Sequence, residues 1–413
     1  MTQLDGVHKM EEIVFGLDIG TTKVCAIVGE IRDRKLQIIG LGQGKSRGMR
    51  KGMIVDVAEA TVAIARAVEQ AEHTSGYDLT QAFVSMAGEH ISSTNNRGAV
   101  AIGRNGVGVT PDDIERALDA AQAISIPHNR EIIHIVPRSF TLDDQDEVRS
   151  PLGLHGFRLE VEAHIVTAAS PALLNLGKTI DNVGLQVDEF VLNALASGES
   201  ALEPSEKEMG VIIADIGGGT TDIALYLGGV VWHTRVIPVG GFHITNDIAI
   251  GLRVSYDVAE DVKIKYGDSR PADIDPSLVF SVEPFGGEKI QVGRQDLALV
   301  IEARVEEIFH LILQEIKRSG YEGLLPAGIV LTGGGSQLRG IGQVAKRVLG
   351  VPARVAKPKD MVGLVDSLQS PAFATSVGLL QWAVSGQNLY RPRPRQGDIG
   401  RKLGGFLRAL LPG

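Results

Sequence analysis

Residues 212–222 run Ile212-Ile213-Ala214-Asp215-Ile216-Gly217-Gly218-Gly219-Thr220-Thr221-Asp222. A short apolar run ends in an acid, then come three glycines, two hydroxyls and a second acid. The apolar run predicts a buried strand. The glycines permit a tight turn and a close approach of backbone N–H groups to a ligand. The hydroxyls add donors of the kind phosphate attracts, and the acid at the strand end can hold a hydrated Mg²⁺ on that phosphate. Alone, the stretch suits a plain Gly-rich hairpin equally well. A second copy decides: Phe15-Gly16-Leu17-Asp18-Ile19-Gly20-Thr21-Thr22-Lys23 keeps the order Asp-Ile-Gly and Thr-Thr. The two acids stand 215 − 18 = 197 residues apart. A strand–hairpin–helix order recurring at that interval predicts two domains of one fold, related by a pseudo-two-fold axis. The ligand then belongs in the cleft between them.

A third Gly-rich strand end follows. Ala327 to Leu331 reads as a strand running into Thr332-Gly333-Gly334-Gly335-Ser336. With two phosphate loops already placed, this one suits the nucleoside end of a nucleotide. Gly42-Gln43-Gly44-Lys45-Ser46 is a false lead. A P-loop needs Gly five residues before Gly44, where Ile39 stands, so the stretch reads as a loop.

Between these loops the periodicity predicts an α/β protein. Ile13–Leu17, Val24–Glu30, Lys35–Leu41 and Ala82–Met86 read as strands, and Asp56–Glu72 as a helix capped by Asp56. From Ala87 to about Val166 the texture changes. Thr110-Pro111-Asp112-Asp113 opens a helix, and Glu131–Leu142 and Phe157–Thr167 read as strands of an inserted two-layer subdomain. Beyond it come a helix over Ser170–Val183, a strand over Leu185–Val191 and a small-residue helix over Asn193–Leu202. Residues 203–208 read as a polar linker. Helices follow at Gly240–Leu252, Ser255–Tyr266 and Gln295–Ser319, then Phe373–Trp382.

The chain of 413 residues is long enough for at least two cores. Its net charge of −9 argues against nucleic acid as the main partner. One cysteine, Cys25, lies in an apolar strand pattern and cannot form an internal disulfide. With neither a signal pattern nor an apolar run near ~20 residues, the expected compartment is cytoplasmic. The ten histidines show no His-x-x-x-His spacing, and lone ones such as His164 and His243 read as structural.

The two Asp-x-Gly loops, the Gly-Gly-Gly strand end and their order resemble the actin-like ATPase superfamily. Within it the chain, from about Glu12 onward, is similar to the bacterial cell-division FtsA family. Three stretches carry the closer likeness: Ser46-Arg47-Gly48-Met49-Arg50-Lys51-Gly52-Met53-Ile54-Val55-Asp56, the inserted block at about 87–166, and the C-terminal tail. The resemblance implies an actin-like (ribonuclease H-like) two-domain α/β fold. Its first domain would comprise 13–86, the insertion 87–166, and 167–203. The second would comprise 204–239, a subdomain at 240–319, and 320–369. A return helix at 370–385, a linker at 386–397 and an amphipathic helix at 398–413 would complete it.

The resemblance also implies roles. Asp18 and Asp215 would face Mg²⁺ through water. Gly20, Thr21, Thr22 and Lys23 would form one phosphate loop of an ATP site, and Gly217, Gly218, Gly219, Thr220 and Thr221 the other. Gly333, Gly334, Gly335 and Ser336 would hold the adenosine. Glu260 and Lys263 match the family's ribose- and base-contacting helix, although the pair also reads as an exposed i,i+3 ion pair worth ~0.3 kcal/mol. One departure stands out. Where many hydrolysing relatives carry a water-orienting Glu, this chain has Asn193. An amide can orient water but cannot accept its proton, so ATP hydrolysis is expected to be weak or absent.

The tail has its own pattern. Ile399, Leu403, Phe406, Leu407, Leu410 and Leu411 share one helical face, flanked by Arg401, Lys402 and Arg408. From Arg391 onward six basic residues and one acid give 6 − 1 = +5, which leaves −14 for the rest. A basic apolar stripe too short to span a bilayer suits the surface of an anionic one. A tail helix docking on its own body or in a partner groove is the alternative. The expected protein is therefore a peripheral scaffold on the cytoplasmic face of the inner membrane at the division site. By the resemblance it self-associates head to tail, holds the C-terminal segment of FtsZ through 240–319, and helps recruit other division proteins. A small-molecule kinase of the same fold and an actin-like part of a pilus assembly remain the rival readings.

Overall fold

The computed structural model describes residues 12–32, 35–103, 106–123, 126–364 and 366–385. β1 (Glu12–Ile19) and β2 (Lys23–Arg32) pair antiparallel around the first loop, with Asp18 opposite Cys25. β3 (Lys35–Lys45) lies beyond β2, and a two-residue ribbon, β4 (Met49–Arg50) and β5 (Met53–Ile54), leads to α1 (Val57–Ser75). The loop expected at Gly42–Ser46 is corrected here, because β3 continues to Lys45. Glycine is required where α1 lies on the strand: a Cβ at Gly42 would stand 1.9 Å from the Ala67 carbonyl oxygen. β6 (Gln81–Met86) then pairs parallel to β1.

An independent four-stranded sheet follows. It is built from β7 (Ile91–Ala101), β8 (Arg130–Leu142), β9 (Gln145–Val148) and β10 (Arg158–Ala169) in the order β7-β10-β8-β9. α2 (Pro111–Ala121), capped by Thr110, covers β7 and β10 around Leu118, Phe140, Leu159 and Ile165. β7 has no counterpart in the sequence expectations. Its Ser-Ser-Thr-Asn-Asn run has no apolar alternation, and pairing with β10 along its whole length makes it a strand.

α3 (Ser170–Asp181), β11 (Gln186–Leu192) and α4 (Asn193–Ala201) return the chain to the first sheet. The expected linker at 203–208 is mostly helix, α5 (Pro204–Met209), with Pro204 at its first position and the Glu206 carboxylate accepting from Glu203 N at 2.8 Å. The second lobe runs β12 (Val211–Ile216), β13 (Thr221–Leu227), β14 (Val230–Ile237), α6 (Gly241–Leu252) and α7 (Tyr256–Tyr266). It continues through β15 (Val279–Val282), β16 (Ile290–Gly293), α8 (Arg294–Ser319), β17 (Gly328–Thr332), α9 (Ile341–Leu349) and β18 (Ala353–Val355). β19 (Val362–Gly363) and α10 (Ala374–Ser385) belong to the first lobe again.

The repeat seen in the sequence is a repeat of topology. The order β11-β6-β1-β2-β3 in one sheet matches β18-β17-β12-β13-β14 in the other. In each, the strand that carries the acid pairs antiparallel on one side and parallel on the other. α4 and α10 cross between the sheets: α4 packs against β12 and β13, and α10 against β1, β2 and β6. No described helix is long and apolar enough to cross a membrane. Ile399, Arg401, Lys402, Leu403, Phe406, Leu407, Arg408, Leu410 and Leu411 lie outside the described residues.

Candidate functional site

The two acid-glycine loops adopt the same turn. Gly20 N donates to the Lys23 carbonyl at 2.9 Å, and Gly217 N donates to the Thr220 carbonyl at 2.9 Å. The loops face and touch. A Cβ at Gly218 would meet Thr22 Cγ2 at 2.4 Å, and one at Gly219 would meet Thr21 Oγ1 at 2.6 Å. Each strand delivers its carboxylate to the junction because Leu17 and Ile19, and Ala214 and Ile216, turn into the cores, which leaves the alternate position near each strand end to Asp18 and Asp215.

Asp18, Asp215 and Asp222 are all buried. Asp18 accepts from Ser85 Oγ at 2.9 Å and from Ser376 Oγ at 2.8 Å, while Asp215 accepts from Thr375 Oγ1. Burial pushes the Asp215 carboxyl up to about 6. The Thr375 hydroxyl opposes the shift, Asp18 adds to it, and Lys23 draws it back. Burial, then the proximity of Asp215, holds Asp222 well above the usual carboxylate range against the Thr220 hydroxyl. Three carboxylates thus share one poorly hydrated junction, an arrangement that favours a bound cation. Among the described residues no three His, Cys, Asp or Glu side chains are placed to ligate a metal directly. Asp18 and Asp215 keep carboxylate lone pairs beyond those taken by the hydroxyl donors, so the donor set fits a hydrated cation.

A cleft of about 560 Å³ opens beside the junction. Thr22, Gly217, Gly218, Gly334, Gly335 and Gln337 line it. Glu260 and Lys263 lie on its wall. Lys263 Nζ donates to Glu260 Oε2 at 2.7 Å, Thr245 Oγ1 at 2.8 Å and the Gly241 carbonyl at 3.1 Å, so all three ammonium donors are engaged. Gly333 has φ +81°, and a Cβ there would stand 2.2 Å from Asp215 Oδ1. Only glycine can bring this third loop against the acid. The space fits a nucleotide. The buried Oδ1 atoms of Asn193 and Asp222, which have no hydrogen-bond partner, are what a hydrated ligand would satisfy.

Not every expected side chain points to the cleft. Ser336 is buried and donates to the Gly333 carbonyl at 2.8 Å. Thr221 donates to the Val239 carbonyl at 2.7 Å, and Thr220 to Asp222 at 2.8 Å. Lys23 Nζ donates to the Ala372 carbonyl at 2.6 Å and sits 3.7 Å from the centre of the Phe373 ring. Sequence reasoning missed Ser85, Thr375 and Ser376, whose hydroxyls belong to no recognisable motif. It also missed Lys51 and Gly52. Gly52 N donates to Thr21 Oγ1 at 3.2 Å, and Lys51 Cα is 3.1 Å from where a Gly219 Cβ would be.

His164 and His243 are structural. His164 donates from Nδ1 to Asn95 Oδ1 at 2.7 Å and accepts at Nε2 from Thr234 Oγ1 at 2.9 Å, joining the inserted sheet to β14. His243 Nδ1 accepts from Gly240 N at 3.1 Å at the start of α6.

Comparison with known proteins gives a consistent set of likenesses. The profile of the family described as "Cell division protein FtsA" matches residues 212–378, and that of the "SHS2 domain inserted in FTSA" matches residues 88–167. Cell division protein FtsA of Pseudomonas aeruginosa is 42% identical over 91% of this chain and 90% of its own length. The Neisseria meningitidis protein of that name is 41% identical over 97% and 96%, and that of Escherichia coli K12 is 36% identical over 90% of each. Among solved structures, a PilM-PilN type IV pilus biogenesis complex superposes with a TM-score of 0.66 at 18% identity, covering 90% of this chain and 98% of the matched one. MreB5 of Spiroplasma citri bound to ADP superposes with a TM-score of 0.54 at 16% identity, covering 90% and 96%. At these identities the structural likenesses establish the actin-like fold and nothing finer.

Proposed function

The chain belongs to the FtsA family of cell division proteins, and we propose that it is an ATP-binding scaffold that tethers FtsZ to the membrane. Membership makes it an actin-like protein of the division machinery, with division proteins as partners. The observation that carries the nucleotide reading is the pair of facing loops, each with the same glycine turn and its own buried acid.

In this reading Gly20, Thr21, Thr22 and Lys23 hold the phosphates from one lobe, and Gly217, Gly218, Gly219, Thr220 and Thr221 from the other. Asp18 and Asp215 orient the water shell of Mg²⁺. Gly333, Gly334, Gly335 and Ser336 with Glu260 and Lys263 form the adenosine end. Lys23 and the loop N–H groups of both lobes would face the phosphate charge of a bound ATP with Mg²⁺, so that one ligand would be held from both sides. Asn193 can orient water without deprotonating it, so the lobes close on a slowly hydrolysed ligand. The site then works as a clamp that sets the shape of the scaffold.

Attachment is assigned to the basic apolar stripe of residues 399–411, on the cytoplasmic face of the inner membrane. Head-to-tail self-association would multiply these weak anchors. The FtsZ C-terminal segment would bind the subdomain at 240–319, where Ile250, Ile264 and Phe285 are exposed apolar residues. The test is co-pelleting of the full chain and FtsZ with anionic liposomes, with and without residues 399–413. Loss of both proteins from the pellet on truncation is expected. Full pelleting of the truncated chain would refute membrane attachment by the tail.

A further inference from the structure

One stretch without a motif touches both acids, Lys23 and the third glycine loop of the proposed nucleotide site. Pro371 accepts at its carbonyl from Gly333 N at 3.0 Å and from Thr332 Oγ1 at 3.1 Å. Ala372 and Phe373 receive Lys23. The next helical turn reaches both acids: Thr375 Oγ1 donates to Asp215 Oδ2, and Ser376 Oγ donates to Asp18 Oδ2 at 2.8 Å. Thr375 and Ser376 are consecutive residues at the start of α10, 5% and 0% exposed. Two acids from two lobes and two distant sequence positions are thus held by neighbours on one rigid helix.

We propose that Thr375 and Ser376 are positioning residues for the acid pair, an inference that rests on the nucleotide reading above. A carboxylate rotates easily about its last bond, and each oxygen offers two lone pairs. A hydroxyl on one lone pair fixes the plane of the group and leaves the others for the water shell of a cation. Both donors sit on one backbone, so the orientation of Asp215 is tied to that of Asp18. Thr375 adds stiffness, since its branched Cβ restricts χ1. Second-layer donors of this kind tune cation affinity by orienting the groups that face the ion.

The test uses the full chain with Thr375→Val, Ser376→Ala, and the conservative Thr375→Ser and Ser376→Thr. A fluorescent ATP analogue is titrated in EDTA and across a Mg²⁺ series, with melting of the nucleotide-free protein measured in parallel. The hydroxyl deletions are expected to raise the Mg²⁺ concentration for half-maximal binding by roughly tenfold or more. Binding in EDTA should stay near the parent value, and Thr375→Ser should restore the parent Mg²⁺ requirement. An unchanged Mg²⁺ requirement in folded Thr375→Val and Ser376→Ala overturns the proposal while leaving the nucleotide reading intact. Should the deletions unfold, Thr375→Cys, which keeps a side chain of similar size but offers only a weak thiol donor, takes their place, and an unchanged Mg²⁺ requirement in that variant overturns the proposal. Absence of analogue binding by the parent chain overturns the nucleotide reading itself.

Discussion

Gly378 of α10 and Ala196 of α4 touch backbone to backbone: a Cβ on Gly378 would stand 1.8 Å from the Ala196 carbonyl oxygen. Nothing flexible can yield at such a contact, because the obstructing atoms are main chain. Gly378→Ala should therefore push the helices apart and destabilise the chain by more than about 4 kcal/mol. Denaturant titration of the purified variant measures this. A loss under 1 kcal/mol would mean the crossing is looser than described.

The meeting of the two loops gives a milder prediction. Gly218→Ala places a methyl group against Thr22 Cγ2 at 2.4 Å, at the end of a side chain that can move. Stability should hold while the lobes lose their close approach. A drop in ATP affinity of ~10-fold, about 1.4 kcal/mol, is expected by calorimetry. Retained affinity would show that the loops need not meet when nucleotide is bound.

Asn193 heads α4 with a buried, unpartnered Oδ1. Asn193→Glu would supply a carboxylate able to accept a proton from water. Phosphate release should rise, on the order of 100-fold if the group reaches the attacking water. A variant that binds ATP yet hydrolyses no faster would show that the slow step lies elsewhere.

Buried histidines make stability depend on pH. Burial pushes His164 down to about 3, helped by His233, Arg138 and His134, and pushes His134 down to about 4. His134 Nε2 accepts from Leu192 N, which requires the neutral ring. Folded-state values below the ordinary one mean that the unfolded chain binds protons the folded chain refuses. Each histidine's share of stability is intact above about pH 6.5 and is lost as pH falls toward the folded value. The slope is about 1.4 kcal/mol per pH unit for each. Asp215 and Asp222, with raised values, act in the opposite direction, so the measurement is a difference. The stability gap between the parent and His164→Asn, followed from pH 7 to pH 4.5, should move against the parent as pH falls. A constant gap would contradict the neutral, buried ring.

The parts of this fold legible in the sequence are those where chemistry and periodicity coincide. Ile212–Asp222 and Phe15–Lys23 announced themselves because glycine, acid and hydroxyl recur in order, and the matching strand orders of the two sheets bear out the repeat. β7 was hidden because Ser92–Asn96 carries no apolar alternation, and only pairing with β10 defines it. Gly42 read as a turn signal because sequence cannot distinguish a glycine that bends the chain from one that lets a helix approach. Thr375 and Ser376 were invisible for another reason. A hydroxyl in a helix has no local signature, and its importance comes from residues about 160 and 358 positions away.

α10 closes the first sheet although it is the last described element, whereas every strand of the second sheet lies between Val211 and Val355. The order in which the chain leaves the ribosome is therefore not the order in which the lobes can be completed. The second lobe can fold while β1, β2 and β6 still lack the helix that covers them, and the first lobe must wait with an apolar face exposed. Ribosome-bound chains halted before Ala374 should accordingly show a protease-resistant second lobe and a first lobe that is readily cut.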